Sequence, residues 1–241
     1  MKPLIGCAGW SVSGEHPGRC SASGTHLQRY GVHLGCVEIN SSFYRPHRPQ
    51  TYVRWAESVP EDFRFSVKVP KQITHGQGLQ ACEPLLEQFL AQCSGLGEKL
   101  GCLLVQLPPS LTFDAATAEV FFAMLRQRFS GAVVLEPRHA SWSAAEPLLQ
   151  AQQIARAAVD PSRLSGDALP GGWPGLRYWR LHGSPRIYHD SYDEPQIQAL
   201  AGDLVGAASE GVQSWCIFDN TASGAALGNA LLLSELTTIR H

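Results

Sequence analysis

Short apolar runs that end in polar residues recur along the chain: Leu4–Ala8, Cys36–Asn40, Phe63–Val69, Cys102–Leu107, Ala132–Glu136, Ile154–Asp160, Leu176–His182 and Ser214–Asp219. Each has the length of a buried strand. Between them, Gln50–Val59, Leu79–Leu96, Ala115–Phe129, Pro195–Ala208 and Ala225–Leu236 carry apolar residues at i, i+3 and i+4, the spacing that buries one face of a helix. Eight such units give about 30 residues each, the size of one strand and one helix. The pattern predicts an α/β fold of the TIM-type (β/α)8 barrel, with residues 1–241 as a single domain. The connection Pro161–Gly175 is too rich in Pro and Gly for a full helix, so the outer helix after strand 6 is expected to be missing or reduced. A doubly wound open sheet also alternates strand and helix, but the chain has no G-x-G-x-x-G or Walker A turn to support it.

Composition narrows the class. With 44% hydrophobic and 17% charged residues the chain has material for a large core. Its net charge of −2 and the lack of Lys or Arg runs leave no footprint for duplex DNA. The seven cysteines include no C-x-x-C pair; Cys7, Cys36, Cys102 and Cys216 lie in apolar runs and read as reduced core residues. No stretch reaches the ~20 apolar residues of a membrane helix, so no membrane partner is expected and a cytoplasmic location is.

The ends of the apolar runs carry the candidate chemistry. Side chains two apart share a strand face, which pairs Glu38 with Asn40, Ser66 with Lys68, Glu136 with Arg138 and Arg180 with His182. Gln106, Asp160, Asp219 and Asn220 end or follow other runs. Two readings compete for this polar end: a salt-bridged plug, or a ligand site. His75, His139 and His182 sit at or just beyond run ends; the other six histidines, His47 among them, read as solvated. Trp10, Phe43, Tyr44, Trp142, Tyr188 and Tyr192 follow the runs and offer flat faces for sugars or bases, whereas Trp55, Trp173, Trp179 and Trp215 read as packing.

Seven ordered motifs span the chain. They are Ile5-Gly6-Cys7-Ala8-Gly9-Trp10, Val37-Glu38-Ile39-Asn40-Ser41-Ser42-Phe43-Tyr44-Arg45-Pro46, Phe63–His75, Leu104-Val105-Gln106-Leu107-Pro108-Pro109, Glu136-Pro137-Arg138-His139-Ala140-Ser141-Trp142, Tyr178-Trp179-Arg180-Leu181-His182-Gly183 and Phe218-Asp219-Asn220-Thr221. The set resembles the domain-of-unknown-function 72 (YecE-like) family. The resemblance implies a TIM-type barrel and no established reaction. The chain departs from the family pattern at Ser11–Gly24, small and polar where many members are aromatic and proline-rich, and at Asp219, where many carry Asn.

Three functions stay open. The first is an enzyme acting on a phosphorylated or polyhydroxylated small molecule or nucleotide, by isomerisation or hydrolysis. Glu38, Lys68, Glu136 and His182 would be its catalytic residues. Trp10, Asn40, Tyr44, His75, Gln106, Arg138, His139, Trp142, Arg180 and Asn220 would bind its substrate, and Glu136, Asp160, His182 and Asp219 could hold Mg²⁺, Mn²⁺ or Zn²⁺. In this reading Arg138 and Arg180 attract an anion bidentately. The second is metal-free glycoside hydrolysis by Glu38 and Glu136. The third is non-catalytic binding of a phosphorylated metabolite or single-stranded nucleic acid.

Overall fold

A computed structural model describes residues 1–11, 23–162, 164 and 166–239. Cys20, His16, His241 and most of the polar stretch after Trp10 lie outside them. Among the described residues ten strands are present: β1 (Leu4–Cys7), β2 (Cys36–Ile39), β3 (Arg64–Lys68), β4 (Leu100–Gln106), β5 (Ala132–Glu136), β6 (Ala155–Arg156), β7 (Ala158–Asp160), β8 (Gly171–Gly172), β9 (Leu176–Leu181) and β10 (Gln213–Phe218). The helices are α1 (His26–Gly31), α2 (Pro49–Glu57), α3 (Glu83–Cys93), α4 (Ala115–Arg128), α5 (Glu146–Ala151), α6 (Glu194–Ser209) and α7 (Ala225–Ile239).

The expected closed eight-stranded barrel is not formed. The strands make two sheets, one of four in the order β1-β10-β9-β7 and one of six in the order β2-β3-β4-β5-β6-β8. Two local causes open the ladder. Between β1 and β2 the Tyr30 hydroxyl stands in for it, accepting from the Cys7 amide at 2.8 Å and donating to the Cys36 carbonyl at 2.8 Å. Among the described residues one isolated bridge, Ala8 with Glu38, joins these edges. On the other side the predicted run Ile154–Asp160 breaks at Ala157, so β6 stays with β5 while β7 pairs with β9. The Pro and Gly of the following connection form β8, which pairs antiparallel with β6.

The elements follow from sequence. Thr25 caps α1 and Asp193 caps α6, each in a reciprocal capping box with the Gln three residues on. Both α1 and α5 span six residues, too short to show a helical period. One layer of apolar residues, including Val37, Phe65, Leu103, Val105, Leu135, Phe121, Phe122, Leu204 and Phe218, packs helices against strands. A second layer, with Cys36, Cys102, Leu104, Val134, Ala157, Tyr178, Trp215 and Ile217, lies on the opposite strand faces. Period two carries this second face onward along the strands to Glu38, Lys68, Gln106, Glu136, Arg180 and Asp219. All six described cysteines are free and buried. No helix among the described residues is long and apolar enough to cross a membrane.

Candidate functional site

A buried guanidinium joins the two sheets at their strand ends. From β9, Arg180 donates to both carboxylate oxygens of Glu38 on β2, through Nη2 at 2.7 Å and Nε at 3.0 Å. Its Nη1 reaches Glu136 Oε2 on β5 at 3.2 Å, and Nη2 lies 3.0 Å from Asp219 Oδ2 after β10. Arg180, Glu38 and Glu136 are sealed from solvent. Tyr178, two residues before Arg180 on the same face, donates to Glu38 Oε2 at 3.3 Å and in turn contacts the Ser66 hydroxyl.

Glu136 is saturated. Gln106, its register partner on β4, donates to Oε1 at 2.9 Å, and Arg138 donates to the same atom through Nε at 2.6 Å. Burial alone would raise the Glu136 carboxyl, but Arg180, Arg138 and His182 outweigh it and hold the group well below its ordinary range. Asp219 follows the same logic: burial pushes upward, and Arg180, His182 and Lys68 prevail downward. The His182 Nδ1 lies 2.9 Å from Asp219 Oδ2, and its Nε2 lies 3.0 Å from Arg138 Nη2. Nε2 also lies 3.3 Å from Glu136 Oε1, so a donating guanidinium and an accepting carboxylate both face that nitrogen.

Lys68 stands apart from this lattice. It is buried, yet it makes no ion pair among the described residues, and its Nζ lies 4.3 Å from the centre of the Phe43 ring. Burial and then Arg180 push its ammonium pKa down to about 8, against the opposite pull of Glu38, Glu136 and Asp219. On the same ring, His75 and Tyr44 pack edge-on at 5.0 Å each. His75 belongs to a single π-helical turn, Gln72–Gly76, and its Nδ1 contacts the Thr74 hydroxyl at 2.8 Å. Burial, then Lys68, Arg138 and Lys71, lower its pKa. Tyr44, 66% exposed, lines a cavity of about 140 Å³ with Phe43, Arg45, Lys71 and Gln72.

Glu38, Gln106, Glu136, Arg138, Arg180, His182 and Asp219 thus form one connected cluster, with Lys68 and His75 beside it. The expected four-residue metal set is not assembled. Asp160 accepts instead from the Tyr192 hydroxyl at 2.7 Å, while Glu136 and Asp219 spend their oxygens on guanidinium groups. No group of three or more His, Cys, Asp or Glu suited to a metal ion occurs among the described residues. Trp142 is a core residue rather than an open platform: it is buried, packs on Phe113 and donates to the Leu111 carbonyl. His139 caps the turn Ala140–Ala145, and Asn220 binds the Asp190 carbonyl and Asn229 away from the cluster. Trp10 packs on Trp55 at 5.0 Å, and Asn40 follows β2 with a buried Oδ1 that has no hydrogen-bond partner among the described residues. His47, read as solvated, contacts the Ser41 hydroxyl and packs against Tyr52 and Trp55. The sequence reading missed Tyr178; its place two residues before Arg180 was the available signal.

The fold and site define a mixed α/β protein of two largely parallel sheets, held at the strand ends by a buried network of ion pairs. The chain belongs to the family described as Protein of unknown function DUF72, whose sequence profile matches residues 4–241. It is 36% identical over 104 residues to the UPF0759 protein YecE of Escherichia coli (strain K12), a match covering 43% of this chain and 37% of that protein. It is 30% identical over 146 residues to the UPF0759 protein YunF of Bacillus subtilis (strain 168), covering 57% of this chain and 51% of that one. These matches therefore span about half or less of either relative. A DUF72 family protein of Enterococcus faecalis V583 shares the fold with a TM-score of 0.81 at 23% identity, over 98% of this chain and 96% of its own. One of Thermotoga maritima MSB8 aligns over the whole of both chains with a TM-score of 0.77 and 24% identity.

Proposed function

We propose that the chain is an enzyme that acts on an anionic small molecule, phosphorylated or polyhydroxylated, at the C-terminal strand ends. Lys68 moves a proton and Arg138 meets the anion. The observation that carries this reading is the uneven commitment of the charges. Every carboxylate of the cluster is held by an arginine, whereas the buried Lys68 has no ion pair among the described residues. A proton carrier with a pKa near the working pH is the efficient kind, and Lys68 is tuned toward that range. Arg138 keeps part of its side chain in solvent, 10%, and Lys71 extends the cationic side.

Glycoside hydrolysis by Glu38 and Glu136 is disfavoured by the same observation. Both carboxylates are bound by Arg180, and that chemistry needs one carboxyl kept protonated. Calorimetry with inorganic phosphate and a panel of sugar phosphates, followed by NMR of solvent deuterium uptake into whichever compounds bind, tests the proposal. Binding that Arg138→Ala weakens about tenfold, with exchange that Lys68→Met abolishes, is the expected result. Binding without any turnover would make the protein a receptor for such anions, and no binding at all would remove the anionic substrate.

A further inference from the structure

We infer that Lys68 is a covalent amine, whose Nζ condenses with the aldehyde or ketone carbonyl of an anionic substrate to form an imine. The inference rests on the site proposed above for where the substrate lies, and adds the bond that forms there.

A lysine buried beside three carboxylates would ordinarily be pinned to one of them. Here Glu38, Glu136 and Asp219 are all taken by Arg180, and Arg138 adds a further contact to Glu136. The amine is left over an aromatic face, with no ion pair among the described residues. Its backbone is fixed, since β3 lies between β2 and β4 and the Ser42 hydroxyl donates to the Lys68 carbonyl at 2.6 Å. The nitrogen is therefore both uncommitted and positioned. Burial, and then Arg180, oppose its protonation and bring the ammonium pKa down to about 8, so about one amine in ten is free at pH 7.

The chemistry balances without a further reagent. The nitrogen lone pair attacks the carbonyl carbon, the C–N bond forms and the carbonyl π electrons pass to oxygen. The two hydrogens of the neutral amine then leave with that oxygen as water, and C=N replaces C=O. His75, which packs on the Phe43 ring that Lys68 overlies and contacts Thr74 through Nδ1, would relay these protons through Nε2. Arg138 and Lys71 select carbonyl compounds that carry a phosphate or carboxylate. The substrate class is thus a phosphorylated aldose or ketose, or a 2-oxo acid.

The test is reductive trapping on the wild-type protein. Dihydroxyacetone phosphate, ribose 5-phosphate and pyruvate are each added with sodium borohydride, and the modified lysines are located by peptide mass spectrometry. The expected result is a reduced adduct on Lys68 with at least one probe, at least tenfold above Lys71 and Lys99, suppressed about tenfold by saturating inorganic phosphate and absent in a folded Lys68→Arg variant. Labelling of Lys71 equal to or above that of Lys68 overturns the inference. If phosphate binds but no probe labels Lys68, the covalent step fails while the anion site stands. If phosphate neither binds nor protects, both fail.

Discussion

A guanidinium sealed from water persists only where its charge is answered, and Arg180 is answered by Glu38, Glu136 and Asp219 at once. Replacing Arg180 with Met removes the shared partner and leaves three buried carboxylates facing one another. The expected cost is about 3–5 kcal/mol in urea unfolding at pH 7. Arg138→Ala is expected to cost less, because Glu136 keeps Arg180 and Gln106. Lys68 has the opposite sign. Its pKa is depressed from 10.5 to about 8 on folding, so between those values the unfolded chain binds more protons and stability rises with pH. Below pH 8 the cost of burying the ammonium is present in full. Lys68→Met is therefore expected to stabilise the protein at pH 7, by roughly 3 kcal/mol, with the advantage shrinking toward pH 10. Paired urea titrations at the two pH values check this, and an equal gain at both would contradict it.

The segment between β9 and α6 decides whether His182 is held. Gly183 has a φ of +91°, and a Cβ there would come within 2.8 Å of the Asp190 carbonyl oxygen, so the chain needs glycine at this turn. The Tyr192 hydroxyl closes the segment, accepting from the Gly183 amide at 2.8 Å and donating to Asp160. Asn229 on α7 binds the Tyr192 amide and carbonyl and fixes the far end. Tyr192→Phe leaves an amide and a carboxylate short of a partner, a loss of about 1–3 kcal/mol. Faster amide hydrogen exchange at Gly183 and neighbouring residues, with β3 to β5 unchanged, is the expected signature. Uniform acceleration would mean that this segment is no separate unit.

Across the whole molecule the two sheets are joined by few polar ties, and Tyr30 makes one of them. Tyr30→Phe removes both hydrogen bonds between β1 and β2 and is expected to cost about 2 kcal/mol or more. The ion-pair network is another tie, and it gives the molecule an acid limit. Glu136 and Asp219 have folded pKa values below the ordinary 4.5 and 3.8, so their contribution is complete above those values and is lost as pH falls beneath them. Urea midpoints should hold from pH 7 to about pH 5 and fall below pH 4. In Arg180→Met the acid slope should become shallower, because the foremost of the cations that hold those carboxylates down is gone while Arg138, His182 and Lys68 remain.

Local periodicity was enough to locate the parallel strands, the five longer helices and the face on which Glu38, Lys68, Glu136, Arg180 and His182 lie, because a strand's two faces are set by alternation alone. Short helices such as α1 and α5 span less than two turns and leave no period to read. Closure was not a local property. It depended on a tyrosine hydroxyl from α1 reaching between β1 and β2, and on a break at Ala157, neither of which alters the hydrophobic pattern. The partners within the polar face were decided by tertiary structure for the same reason: charges from six strand ends are compatible with a metal set, a carboxylate pair or an ion-pair lattice. Only the distances assigned the three carboxylates to Arg180, sent Asp160 to Tyr192 and left Lys68 without an ion pair.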